Sequence, residues 1–309
     1  MNWLLGTTVM YAVVGLAVLL VLWPTESSGR RFLRRWGVSD PDERQTALAV
    51  SYLRNRRLLY PPLLLLGPAL ADVAIDRPGD PGFLTLLAPV IVALLLAETI
   101  GALRKPTGPR IAALTKRHWR DLAPRWAMAT MLTLAATAVG LAVAGLIAQP
   151  WANRIAAAIP RDGVWTYPDG SGSWTVPVLV LSELTRPSSV ITLAGIAIGL
   201  AAVLGLVRLA VRRRPIGDPR LDAALRTRTA RVAVGIGIAW MAAMVVLANN
   251  RLTFLRTFYP PSEFPSAPSW LAYTSAGNFL GVLLLFVAAA GWIWAANPPR
   301  RLPYVEAAR

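Results

Sequence analysis

Glu98 is the first residue to weigh, because a carboxylate inside an apolar run is expensive to keep. It lies about one and a half turns from the basic end of the run 83–103. A charge at the centre of a membrane helix costs roughly 2.5–3.5 kcal/mol on insertion scales, so such a group reaches the interface, pairs with a cation or serves function. Arg208, similarly placed in the run 188–211, is one candidate partner. Asp72, near the opposite end of the run 58–75, reads as a rim residue. A second constellation is aromatic. Val164-Trp165-Thr166-Tyr167 and Trp174-Thr175-Val176 flank Pro168-Asp169-Gly170-Ser171-Gly172-Ser173, which is a β-hairpin pattern with a flexible turn. Residues 249–270 carry Phe254, Phe258, Tyr259, Phe264 and Trp270 among four prolines, and are expected to be extended and irregular. Trp165, Tyr167 and Trp174 are therefore candidates for a lipid- or sugar-binding platform, with an aromatic belt at the membrane edge as the alternative.

The missing chemistry narrows the field more sharply. Without cysteine there is no disulfide, no thiolate nucleophile and no Cys-ligated metal. The single histidine, His118, cannot build bis-histidine haem, an H-E-x-x-H zinc site or a Ser-His-Asp triad in the bilayer. The two lysines, Lys105 and Lys116, lie outside every apolar run and outside any Walker loop. A retinal Schiff base in the seventh run and P-loop nucleotide binding are both excluded. No catalytic group, metal set or cofactor is read from the sequence.

The elements that must position these residues are seven apolar stretches, near 3–23, 58–75, 83–103, 126–148, 188–211, 232–248 and 271–296. About 20 helical residues cross a hydrocarbon core of about 30 Å. The fold class is all-α, a polytopic transmembrane helix bundle forming a single integral membrane domain over 1–309. Of the 32 basic residues, 26 fall in the alternate connections 24–57, 104–125, 208–231 and 297–309. Arg77, Arg154, Arg161, Arg186, Arg251 and Arg256 make up the other side. Basic short loops stay cytoplasmic, so the N-terminus is expected outside and the C-terminus inside. The net charge of +16 is then a topology signal, and no nucleic-acid partner is expected. The arginine-, alanine- and proline-rich composition suits a GC-rich bacterium and hence a multi-pass protein of its plasma (inner) membrane.

Several local expectations follow. Arg30-Arg31-Phe32-Leu33-Arg34-Arg35-Trp36 suits a stretch lying on anionic headgroups. Asp40, Pro41 and Glu43 predict a capped helix over 41–57. Pro61, Pro62 and Pro68 interrupt the second run, which either spans or re-enters. The pairs Gly195/Gly199 and Gly277/Gly281 predict close helix approach.

Asp40-Pro41-Asp42, Tyr52-Leu53-Arg54, Tyr60-Pro61-Pro62, Ala97-Glu98, Arg104-Lys105-Pro106, Ala113-Leu114-Thr115 and Pro124-Arg125-Trp126 together resemble a group of uncharacterised multi-pass membrane proteins of actinobacteria. The resemblance covers the first half of the sequence and implies a membrane fold without implying an activity. Three functional readings remain. The leading one is a non-enzymatic membrane component of a transport or export system, bound to a protein partner through 104–125 and 208–231 and to membrane lipids. The second is a stand-alone sensor or ligand-binding protein using the external loops 149–187 and 249–270. The third is a membrane-embedded enzyme acting on lipid, with Glu98 or Asp72 as its catalytic carboxylate.

Overall fold

The computed structural model describes residues 9, 13, 16–17, 19–20, 23–59, 61–62, 91–92, 94–100, 119–212, 218–274 and 277–297, the side chains of 119, 277, 278 and 285 excepted. Among these the protein is helical, with one two-stranded hairpin. In sequence order the elements are α1 (Glu26–Arg35), α2 (Glu43–Arg57), α3 (Arg125–Ala158), β1 (Val164–Thr166), β2 (Ser173–Thr175), α4 (Val178–Thr185), α5 (Ser188–Arg212), α6 (Pro219–Thr257) and α7 (Gly277–Gly291). A π turn, Trp292–Ala296, extends α7. Residues 94–100 are also helical. The expected spans 3–23, 58–75 and 83–103 lie wholly or largely outside the described residues, as do Asp72, His118, Lys105 and Lys116.

Among the described residues, four helices are long and apolar enough to cross a membrane: α3, α5, α6 and the stretch Phe279–Ala296. Their surroundings differ. The apolar window of α6 is 72% buried by protein, against 24–39% for the other three. Ile147, Ile198, Phe279 and Phe286 are each more than 60% exposed and present apolar surface outward, where hydrocarbon would cover it. Between Arg231 and Arg251, α6 carries no charged residue, which gives about 28 Å of helix suited to a bilayer core.

Several helix boundaries depart from expectation. α3 continues through Pro150 to Ala158, α6 runs from Pro219 to Thr257, and α4 forms inside the expected loop 149–187. Residues 249–257 are therefore helical and not extended. Polar residues suggest helix ends here by composition, but the structure satisfies them internally: Gln149 Nε2 donates to Asn153 Oδ1 at 2.8 Å and to the Leu184 carbonyl at 2.9 Å. The predicted helix 41–57 begins two residues later, because Asp42 and not Asp40 is its cap. Asp42 accepts from the Gln45 amide at 2.6 Å, and Gln45 Oε1 accepts from the Asp42 amide at 3.1 Å. Asp42-x-x-Gln45 fits the capping-box spacing as well as Asp40-x-x-Glu43 does.

Packing separates the protein into two compact units, residues 1–131, 200–240 and 288–309 in the first, 132–199 and 241–287 in the second. In the first, α1 lies on α2. Leu33, Trp36, Val38 and Ala49 form a core with Leu221, Ala224 and Leu225 of α6. The apolar side chains of α1 thus enter protein and not headgroups, while Arg30, Arg31, Arg34 and Arg35 are exposed. Gly235, Gly237 and Gly291 are the close-approach glycines here: a Cβ at Gly237 would stand 2.6 Å from Met131 Sδ, and one at Gly291 2.7 Å from Ile238 Cγ2. Gly281, by contrast, has nothing within 4 Å of its Cβ position, so the close approach expected there does not form among the described residues.

In the second unit the core gathers Trp151, Ala152, Ile155, Leu184, Leu252, Leu255 and Phe264. Trp151 is 2% exposed, and its indole N–H donates to the Pro265 carbonyl at 2.9 Å. The hairpin pairs Trp165 with Trp174 directly across the strands. Its base closes at Gly163, whose φ of 76° would drive a Cβ into the Val176 carbonyl oxygen, so only glycine fits.

Candidate functional site

Three buried charges converge in the first unit. Glu98 is 1% exposed, Arg56 6% and Arg228 7%. Glu98 Oε1 forms an ion pair with Arg56 Nη2 and lies 3.6 Å from Arg228 Nη1. Arg228 also donates to the Tyr52 hydroxyl at 3.0 Å and stands over the Phe32 and Tyr52 rings, 5.5 and 5.6 Å from their centroids. One carboxylate thus meets two guanidiniums drawn from α2 and α6, and the aromatic faces spread the second positive charge. Neither Glu98 oxygen has a hydrogen bond of regular geometry among the described residues, so ion pairing at Oε1 holds the carboxylate. The cluster carries a formal charge of +1 and is sensitive to anything that changes the carboxylate.

The sequence brings these groups together through helix periodicity. On α2 the buried residues are Thr46, Ala49, Val50, Leu53 and Arg56, spaced as one face of a helix. Arg56 therefore stands on the apolar stripe of its own helix, a signal the sequence contains. Gln45 and Asp218 anchor the geometry. Asp218 accepts from the Arg220 and Leu221 amides at 2.8 and 3.1 Å as the N-cap of α6, and Gln45 Nε2 donates to its other oxygen.

Beside this cluster Arg226, 1% exposed, donates from Nε to Asp222 Oδ2 at 2.7 Å. Its Nη1 donates to the Ala210 and Val211 carbonyls at 2.9 and 2.8 Å. Those are carbonyls of the last turn of α5, which have no intrahelical donor and carry the negative end of the helix dipole. The Arg226 guanidinium thus caps the C-terminus of α5, and Asp222 balances its charge.

The second unit holds another such cap. Arg251, 5% exposed, donates from Nη1 to the Glu183 carbonyl, and from Nη2 to the Leu184 carbonyl at 3.0 Å and to Gln149 Oε1 at 2.8 Å. It closes the C-terminal end of α4. Its side-chain acceptor is a neutral amide, because the Glu183 carboxylate pairs with Arg186 at 2.8 Å.

The predicted site residues distribute as follows. Glu98 is central to the ionic cluster. Arg208 is exposed on α5 and is not its partner; Arg56 and Arg228 take that place because their helix faces meet Glu98 and that of Arg208 does not. Asp72 lies outside the described residues. Trp165, Tyr167 and Trp174 are half-buried among aromatic neighbours: Trp165 is 4.9 Å from Tyr167 and 5.0 Å from Phe264, and Trp174 is 5.9 Å from Phe258 and 5.6 Å from Phe264, between ring centroids. These rings fasten the hairpin to the 249–270 segment and have largely spent their faces on one another. Sequence reasoning missed Arg56, Arg228, Tyr52, the Asp222–Arg226 pair and Arg251. Of these, Asp222–Arg226 was readable as an i,i+4 pair.

No protein-family model, curated protein or solved structure matches this sequence.

Proposed function

We propose that the protein crosses a bacterial plasma membrane seven times, N-terminus outside and C-terminus inside, and serves as a non-enzymatic membrane component of a transport or export system. The observation that carries this reading is the Glu98 cluster. A carboxylate within an expected span, tied to guanidiniums on two other helices, makes the packing of three elements depend on one ionisable group. Intramembrane charges of this kind mark ion and substrate pathways and their gates. An enzymatic reading gains no support, because Glu98 faces two arginines and no nucleophile stands beside it among the described residues.

Partner docking falls to the outward basic side chains of the first unit. Arg30, Arg31, Arg34 and Arg35 of α1 are exposed, as is Arg220, whereas Leu221, Asp222, Ala224, Leu225, Arg226 and Arg228 of the expected docking segment 208–231 are buried. The partner surface is thus a basic face built from α1 and the start of α6.

A photo-crosslinker placed at Arg34 in native membranes, followed by purification through a C-terminal tag and mass spectrometry, tests this. A stoichiometric cytoplasmic ATPase or second membrane subunit, lost when Arg30, Arg31 and Arg35 become Glu, is the expected result. A clean single species overturns the reading in favour of a stand-alone protein. A reporter fused after Arg309 is expected to report the cytoplasm, and a periplasmic location overturns the orientation.

A further inference from the structure

Where the first expected span ends, two side chains are stacked at the surface. The described positions of that stretch present Val9, Val13, Leu16 and Leu20 outward, each more than half exposed, in the three- and four-residue spacing of one helix face. Trp23 closes the row at 43% exposure, and the Arg54 guanidinium stands over its ring, 5.5 Å from the centroid. Arg54 is exposed on α2, and its side chain makes no ion pair or hydrogen bond among the described residues. One turn further on, Leu58 is exposed as well and opens the second expected span. We propose that Trp23 and Arg54 hold the headgroup of one anionic phospholipid, with the guanidinium on its phosphate and its acyl chains along Leu20 and Leu16.

Position and chemistry both favour a lipid. An apolar row this exposed belongs against hydrocarbon, and an indole at its end belongs at the boundary between acyl chains and headgroups. Held over that ring, Arg54 stands at the level of the phosphates. Leu58 marks the same boundary from the α2 side, because there the sequence turns apolar again. The neighbouring Arg56 is turned inward to Glu98, so Arg54 faces outward without it. An aromatic face is no oxygen acceptor, so the N–H donors of Arg54 are left for a phosphate, which can take two parallel bonds. A zwitterionic lipid brings its own ammonium to that phosphate, so a headgroup of net negative charge gains most. The C-terminus of α2 adds the negative end of a helix dipole here, so the attraction has to come from the guanidinium and not from the helix. This inference rests on the membrane reading of the first expected span and not on the transport role.

The protein has no cysteine, so Leu20→Cys carries a single bimane fluorophore into the outward row. The full-length labelled protein is reconstituted in phosphatidylcholine vesicles holding a small, equal fraction of doxyl-labelled phosphatidylglycerol or doxyl-labelled phosphatidylcholine. A doxyl group on the acyl chain quenches only at short range, so the signal reports which lipid lies beneath Trp23. Phosphatidylglycerol should associate about fivefold more strongly than phosphatidylcholine, the preference expected of one guanidinium near an anionic headgroup. Arg54→Gln, an exposed substitution that keeps a good helix former, should fold and lose the preference. Arg44→Gln, exposed ten residues earlier on α2, should keep it. Inorganic phosphate in the buffer should leave it unchanged. Four results overturn the proposal. Equal quenching by the two lipids does so while sparing the membrane reading. A preference that survives Arg54→Gln shifts it to the other exposed arginines, and one erased by inorganic phosphate assigns the site to the free ion. No quenching by either lipid refutes the membrane reading of the span itself.

Discussion

Arg226 and Arg251 stand 25 residues apart on α6, and each closes the C-terminus of a shorter helix. They differ in what balances the charge. Arg226 has Asp222 one turn back on its own helix, whereas Arg251 has the neutral amide of Gln149. The neighbouring cluster in the first unit repeats the first solution, with Glu98 between Arg56 and Arg228. The difference teaches that the two units spend buried arginine differently: one sets it directly against a carboxylate, the other against neutral amide and carbonyl oxygens. It also explains why an arginine persists among the few basic residues expected on the outer side. Arg251 is there to cap α4, and its helix-end carbonyls need a donor whatever the topology bias prefers.

Breaking a self-neutralised pair should have the largest effect. Glu98→Gln leaves two guanidiniums facing each other, and Arg226→Met takes a charged Nε–H donor away from the buried Asp222 carboxylate. Each should cost about 3–5 kcal/mol, read as a loss of thermal stability and of membrane-inserted protein. Adding Asp222→Leu to Arg226→Met should recover much of the loss, because the buried carboxylate is then removed together with its donor. Arg251→Met strands no charge. It should lose only charge-assisted hydrogen bonds, about 1.5–3 kcal/mol, so a cost above that of Arg226→Met would break the comparison. The smallest effect belongs to the exposed hairpin turn. Asp169 accepts from the Ser171 hydroxyl at 2.7 Å and amide at 2.9 Å, and these bonds hold its carboxyl below its ordinary value of 3.8. A lowered folded pKa means the contribution is fully present above 3.8 and is lost as the pH falls through the lowered value. Amide resonances of Gly170 and Ser171 should shift in acid while those of the buried clusters stay put; Asp169→Asn should abolish that shift.

Much of the fold was legible because it rests on local sums. The apolar runs 126–148, 188–211, 232–248 and 271–296 each meet a helix fit to span a membrane, and the hairpin forms on the strands read from Val164–Thr166 and around Trp174. Helix ends were less legible. Gln149, Asn153 and Arg251 look like loop residues by polarity, yet they bond to one another and to carbonyls supplied by another helix, so α3 and α6 run on past the apolar stretch. The site was half legible. Glu98 announced itself by the expense of burying a carboxylate, and Arg56 sat in register with an apolar stripe.

The sequence by itself determined which stretches are apolar enough for a membrane, where positive charge gathers and which acid stands in an apolar run. Hydropathy and charge are properties of each segment alone, so they survive without knowledge of the neighbours. Only the tertiary structure decided that Glu98 meets Arg56 and Arg228 and not Arg208, that Trp165 and Trp174 turn onto Phe258 and Phe264, and that Arg251 answers Gln149 and the end of α4. Those pairings depend on which helix rows face one another, and a guanidinium bonds to whatever acceptors the facing row brings within about 3 Å. No periodicity in one segment encodes the row of another.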